Sequence, residues 1–217
     1  MARAKVKRAS TVIDMTAMCD VSFLLLTFFV LTATARQPEA LEVDTPASVT
    51  QVKIPDDKLG MVTVGDGGKL FFGVKGPQIR TRMLEIMSEK YNIQFSEEEV
   101  ARFSLMEEFG VPMHNLKQLI AMDMEQRATR GLQPGIPNDT TNNLSNEMFH
   151  WIHSARTATA ALYNEQMRIS IKGDANEKYP DIKKVIDILQ DQNLNRFSLI
   201  TKLKGGIEGI EVEPDTE

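Results

Sequence analysis

The chain opens polar and basic, becomes continuously apolar, and only then settles into the alternating patterns of a folded domain. From Val21 to Ala35 no charged side chain occurs, and Phe23, Leu24, Leu25, Leu26, Phe28, Phe29, Val30 and Leu31 crowd the run. That run is slightly short for a bilayer, which takes about 20 helical residues at ~1.5 Å each. Extending it back through Ile13 supplies the length, so the predicted transmembrane helix spans 13–36 and encloses Asp20. Arg3, Lys5, Lys7 and Arg8 precede it, and the next basic residue is Arg36. This asymmetry predicts a cytoplasmic basic tail over 1–12, with everything after the helix across the membrane.

A cleaved signal peptide competes for the same stretch, because a basic start, a short apolar run and the small triplet Ala33-Thr34-Ala35 fit one. Against it, the polar start is long and carries two carboxylates, Asp14 and Asp20. The anchor is the better reading.

Beyond the helix the pattern changes three times. Residues 37–60 hold Pro38 and Pro46 with few apolar positions, and read as an extended linker. Met61–Val64, the turn Gly65-Asp66-Gly67-Gly68 and Lys69–Val74 read as strand, tight turn and strand. The glycines are turn residues and not a phosphate loop, since no Gly-Lys-Ser/Thr accompanies them.

From about 77 to 165 the periodicity is helical. Ile79, Met83, Ile86 and Met87 mark one face, and Ser96 before three glutamates marks a capped start with Val100, Phe103, Leu105 and Met106 behind it. Pro112 opens a segment through Leu116, Leu119, Ile120 and Met122, and a polar loop covers 131–143. A last helix of this region runs from about Leu144 to Tyr163, with Met148, Trp151, Ile152, Ala155, Ala158 and Leu162 as its buried stripe.

The final third reads cleanly. Met167–Ile171 alternates as a strand, Gly173-Asp174 turns, and Tyr179-Pro180-Asp181 starts a helix with Ile182, Val185, Ile186 and Leu189 on one face. Phe197–Thr201 is a second strand, predicted parallel to the first across this strand–helix–strand unit. Residues 205–217 form an acidic tail read as flexible. The fold class expected is α+β, a single transmembrane helix followed by a small domain whose β-sheet packs on helices.

Composition narrows the chemistry. The net charge of −5 and the lack of a basic stripe give no sign of a nucleic-acid binder. Cys19 is the single cysteine, so no intrachain disulfide forms, and in its apolar stretch it reads as a small apolar side chain. His150 and His153, spaced i, i+3, lack a third ligand, so neither a metal nor a cofactor is expected. No nucleophile elbow, HExxH or CxxC occurs, in keeping with a non-enzymatic role.

Asp20 is the candidate functional residue. It could cap the helix start at the headgroups. Alternatively it faces a protein interior within the membrane, where desolvation favours the neutral carboxyl and ionisation follows only when water or a donor arrives. Thr16, Phe23, Leu24 and Thr27 share its helical face, so the hydroxyls of Thr16 and Thr27 could line a proton path or bond back to their own helix.

Three segments resemble the ExbD/TolR family, the stator partners of ExbB- or TolQ-type subunits in bacterial inner membranes. In the first, Ile13-Asp14-Met15-Thr16-Ala17-Met18-Cys19-Asp20-Val21 stands where the family reads Asn-Val-Thr-Pro, two residues and Asp-Val, with Asp14 for the Asn and Ala17 for the Pro. In the second, Leu41-Glu42-Val43-Asp44-Thr45-Pro46-Ala47-Ser48 is similar to the family's Leu-Pro-Ala-Ser region. The third runs from Ile169 to Asp174 and through Tyr179, Val185, Asp187 and Leu199-Ile200-Thr201.

This resemblance implies that Asp20 is the proton carrier, and that Val43, Asp44, Pro46 and Asp174 contact a partner, although turn capping alone also accounts for Asp174. It implies a pentameric ExbB/TolQ-like ring around a dimer of this chain, a TonB-like energy transducer, and a periplasmic domain over 61–204. The helical segment of about 77–143 exceeds the family's short helix and reads as an insertion. A TolR-like role in envelope maintenance is the closest alternative, and a secreted binding protein is the alternative of another class.

Overall fold

Hydrophobic runs and turn signals become two units, Met1–Gln37 and Pro38–Glu217. The structure, a computed structural model, describes residues 15–33, 40–41, 43–48, 58–127, 129, 131–138, 146–200 and 202–203. The basic tail 1–12, the expected helical residues 13–14 and 34–36, the loop residues 139–143 with Leu144, and the tail 205–217 lie outside them.

In the first unit the apolar run is one helix, α1 (Met15–Thr32), with no residue buried inside the unit. Three of its hydroxyls close on its own carbonyls. Ser22 donates to Met18 O at 2.8 Å, Thr27 to Leu24 O at 2.9 Å and Thr32 to Phe28 O at 2.7 Å. A segment that bonds hydroxyls back to its own carbonyls and turns leucines and phenylalanines outward suits a hydrocarbon solvent.

The second unit begins with the two-residue strand β1 (Ala47–Ser48), then the hairpin of β2 (Leu59–Gly65) and β3 (Lys69–Val74). The hairpin turn explains its glycines, because Asp66, Gly67 and Gly68 all have positive φ, at 53°, 80° and 88°. A helical stretch follows: α2 (Pro77–Tyr91), α3 (Glu97–Ser104), the short strand β4 (Glu108–Phe109), a 3-10 turn at Met113–Asn115, α4 (Leu116–Ala121) and α5 (Met124–Arg127). Then come α6 (Glu147–Tyr163), β5 (Arg168–Gly173), α7 (Tyr179–Asp191), β6 (Phe197–Ile200) and β7 (Lys202–Leu203).

Five strands form one sheet in the order β4-β3-β2-β5-β6, and β1 pairs with β7 separately. β2 is antiparallel to β3 and parallel to β5, and β5 is parallel to β6, as the strand–helix–strand reading requires. Register places Val62 beside Phe72 and Ile171 on one face. These join Ile152 of α6 and Val185 and Leu189 of α7 in a single buried cluster. Fold class and strand pairing thus follow the sequence reading.

The helical stretch is attached to that core through aromatic packing. Trp151 of α6 stacks on Phe103 of α3 with centroids 6.1 Å apart and meets the edge of Phe109 of β4 at 4.8 Å. Residues 131–138 then cover β3 at Leu70, beyond its short pairing with β4. Ile136 N donates to Leu70 O and Gly135 N to Gly110 O, both at 2.7 Å, and Gln133 Oε1 accepts from Gly110 N at 2.7 Å. What reads as a polar loop in the sequence is, over these residues, a fixed edge cover.

Two burial expectations fail in detail. Leu162, expected in the buried stripe of α6, is 43% exposed, because the last turn of the helix outruns the core beneath it. Leu105 is 65% exposed, since it lies just past the end of α3 as its C-cap and no longer follows that helix's buried face.

Candidate functional site

Within α1, Asp20 is the only charged residue. It lies five residues past Met15, about 7.5 Å along the axis at 1.5 Å per residue, and therefore inside the helix and not at its cap. The Asp20 side chain is exposed on the isolated helix, as are the apolar side chains around it. Thr27 falls on the same face by spacing, yet its hydroxyl is engaged by the Leu24 carbonyl. Thr16 lies one turn before Asp20 on that face.

The second cluster forms where the chain enters the C-terminal unit. Leu41 is 7% exposed and Thr45 is 9% exposed, so residues within the stretch read as a linker are packed on the domain. Their seat is Gly65 at the end of β2. A Cβ added there would stand 2.7 Å from both Leu41 Cδ2 and Val43 Cγ1, so only glycine lets these side chains lie on the strand. One residue on, Asp44 O accepts from Ala175 N at 2.7 Å, while Asp174 N donates to Val64 O at 3.0 Å. The strap ends as β1, whose Ala47 and Ser48 pair in parallel with Lys202 and Leu203.

Val43, Asp44 and Asp174, which the family resemblance implies as partner contacts, therefore converge on one end of the β2–β5 pair. Pro46 follows two residues later and is exposed. Beside them opens a groove of about 340 Å³ lined by Leu41, Asp66, Gly67, Asp174, Glu177 and Asp181, among others. Its carboxylates are engaged internally. Asp174 Oδ1 accepts from Asn176 N at 3.0 Å, Glu177 accepts from Gly67 N at 2.8 Å, Asp66 pairs with Lys69, and Asp181 pairs with Lys184 at 2.9 Å. Turn capping is thus the observed work of Asp174.

Sequence reasoning missed Leu41, Thr45, Gly65 and Ala175. Gly65 reads locally as one of four turn residues, and nothing nearby in the chain announces that Leu41 and Val43 rest on it. The two histidines diverge. His150 is buried toward α2, and the His153 ring stacks on Phe149 at 6.4 Å. Among the described residues no three metal-ligating side chains gather.

One unit offers a lone carboxyl in an apolar helix, and the other receives the incoming chain in a built seat.

The family model described as Biopolymer transport protein ExbD/TolR matches residues 7–204, from before α1 to just past β7. Neither a curated protein nor a solved structure gives a significant match. A match that takes in the apolar helix together with the domain covers most of the sequence, and the chain belongs to the ExbD/TolR family of biopolymer transport proteins.

Proposed function

We propose that this chain is the proton-carrying subunit of a motor driven by the proton-motive force, working with an ExbB-like ring to energise TonB-dependent outer-membrane transport. The observation that carries the reading is the single carboxylate of α1, Asp20, set within an otherwise uncharged helix. A charged carboxylate there costs a few kcal/mol in hydrocarbon, so its protonation changes which orientation of the helix is favoured inside a protein ring. Alternation between the two states turns the helix relative to the ring. The strap from Leu41 to Ser48 passes that motion to the domain.

In this reading the protein is an inner-membrane, single-pass subunit with its N-terminus in the cytoplasm and its folded domain in the periplasm. Two copies of the chain sit within a pentameric ring. The basic tail supports the orientation, and the family match extends across α1, which supports an anchor over a cleaved leader.

The test is Asp20→Asn. The variant should co-purify from membranes with its three-helix ring subunit and yet abolish TonB-dependent uptake. Normal uptake would sink the proposal, whereas intact uptake with a detergent-sensitive envelope would assign the chain a TolR-type output.

A further inference from the structure

We propose that the contact between Lys90 and His150 is a pH-sensitive latch, holding the end of α2 on the first turn of α6 and releasing when His150 takes a proton. The inference concerns the helical stretch between β3 and α6 and goes beyond the role of Asp20.

With Lys90 as an ammonium, the contact sets the protonation state of the closed latch. Lys90 Nζ lies 2.7 Å from His150 Nδ1. An ammonium has only donors, so Nδ1 must accept, and the ring is neutral with its proton on Nε2. Adding a proton to Nδ1 removes the acceptor and sets two cations against each other across that distance. His150 is 8% exposed, so the new charge cannot be solvated where it stands. It also lies in the first turn of α6, where the partial positive charge of a helix start opposes a cation.

The groups around the latch act in the same direction. From α2, Tyr91 meets the His150 ring edge-on at 6.2 Å, and burial, with help from the Glu147 charge, pushes its hydroxyl up to about 12, so it stays neutral. From α6, Glu147 supplies an anion one turn away. Its carboxyl is held above the ordinary range by burial, an effect partly offset by a hydrogen bond from Met113 N and by His114. Acidification therefore neutralises an anion that would compensate a protonated His150. Just past α7, the neutral Gln192 donates to Phe149 O at 2.9 Å and accepts from Arg156 at 3.3 Å. Imidazole is the side chain whose ordinary titration falls between about pH 5 and 8, so the latch responds to mild acid.

The consequence is local. The α2–α6 seam and the Trp151 cluster behind it join the helical stretch to the sheet. Loosening the seam frees that stretch without unfolding the strands.

The experiment uses the full chain in lipid nanodiscs. Hydrogen exchange of residues 88–93, corrected for its intrinsic pH dependence, is followed from about pH 8 to about pH 5, where roughly a tenfold rise in opening is expected. Emission of Trp151, the single tryptophan, should shift over the same range. His150→Asn keeps an acceptor near the Nδ1 position that does not titrate and should flatten both responses. Lys90→Gln alters an exposed side chain, leaves folding intact, and should shrink the response by removing the repulsion. No change in the wild-type chain, or a response of wild-type size in either variant, overturns the latch.

Discussion

The amide of Ala175 donates a 2.7 Å hydrogen bond to the carbonyl of Asp44, joining the segment that enters the domain to the loop between β5 and α7. Leu41 and Val43 lie on Gly65 just before that bond, and β1 pairs with β7 just after it. The entering chain is thus held at three successive points. A pull on it loads the ends of the central strands directly, because Asp174 is in turn bonded to Val64.

Gly65→Val should unseat the strap. The added Cβ alone would stand 2.7 Å from two side chains, and overpacking of this kind costs about 1–3 kcal/mol. Gly65 does not have positive φ, so the effect is steric and not conformational. Hydrogen exchange should show the Ala175 amide losing protection while the β2–β5 pairing keeps its own. Full protection at Ala175 would mean that the strap adapts in place.

Thr27→Val should leave uptake close to wild type. The Thr27 hydroxyl already donates to its own helix at Leu24 O, and valine keeps the branched shape while removing only that local bond. A transport assay beside Asp20→Asn checks the point. Loss of uptake in Thr27→Val with normal assembly would place this hydroxyl in the proton path.

Glu147→Gln should remove a pH dependence of stability. Burial raises the carboxyl in the folded chain above its ordinary 4.5, so the folded state binds this proton more tightly than the unfolded state does. Its contribution is fully present below the ordinary value and is lost as pH rises through the raised folded value. The variant should match wild type at about pH 4 and show a higher urea midpoint at about pH 8. The amide oxygen of the substituted side chain can still accept from Met113 N, so the turn remains anchored. Parallel curves across that range would refute the assignment.

Much of the architecture was legible along the chain because its causes are local. The run of α1 is long and apolar enough to cross a membrane, which its own residues declare. Consecutive glycines at 67 and 68 announce positive φ and so the β2–β3 turn. Ser96 and Glu99 cap α3 reciprocally, with Ser96 N donating to Glu99 Oε2 at 2.8 Å and Glu99 N to Ser96 Oγ at 3.2 Å. The alternation of residues 167–171 and the proline at the start of α7 fixed the parallel pair.

The site was legible only in part. Asp20 stands out in sequence because a carboxylate amid leucines and phenylalanines is costly, and cost is visible without coordinates. Val43, Asp44 and Asp174 were reached through family resemblance, and their meeting place was not. That place depends on Gly65 being bare where Leu41 and Val43 arrive, more than twenty positions away in the chain. Likewise the cover by Gly135 and Ile136 rests on backbone bonds to Gly110 and, on β3, to Leu70, which no side chain foretells.

By itself, then, the sequence determined the helix that carries Asp20, the helix and strand periods of the domain and the strand–helix–strand at its end, since these rest on neighbours within a few residues. Tertiary structure alone decided where the entering strap sits, which edge of the sheet is covered, and that Lys90 meets His150 sixty positions away. Those contacts arise only when burial of a common core brings distant segments to one place, and close approach there is decided by shape and by backbone groups common to every residue.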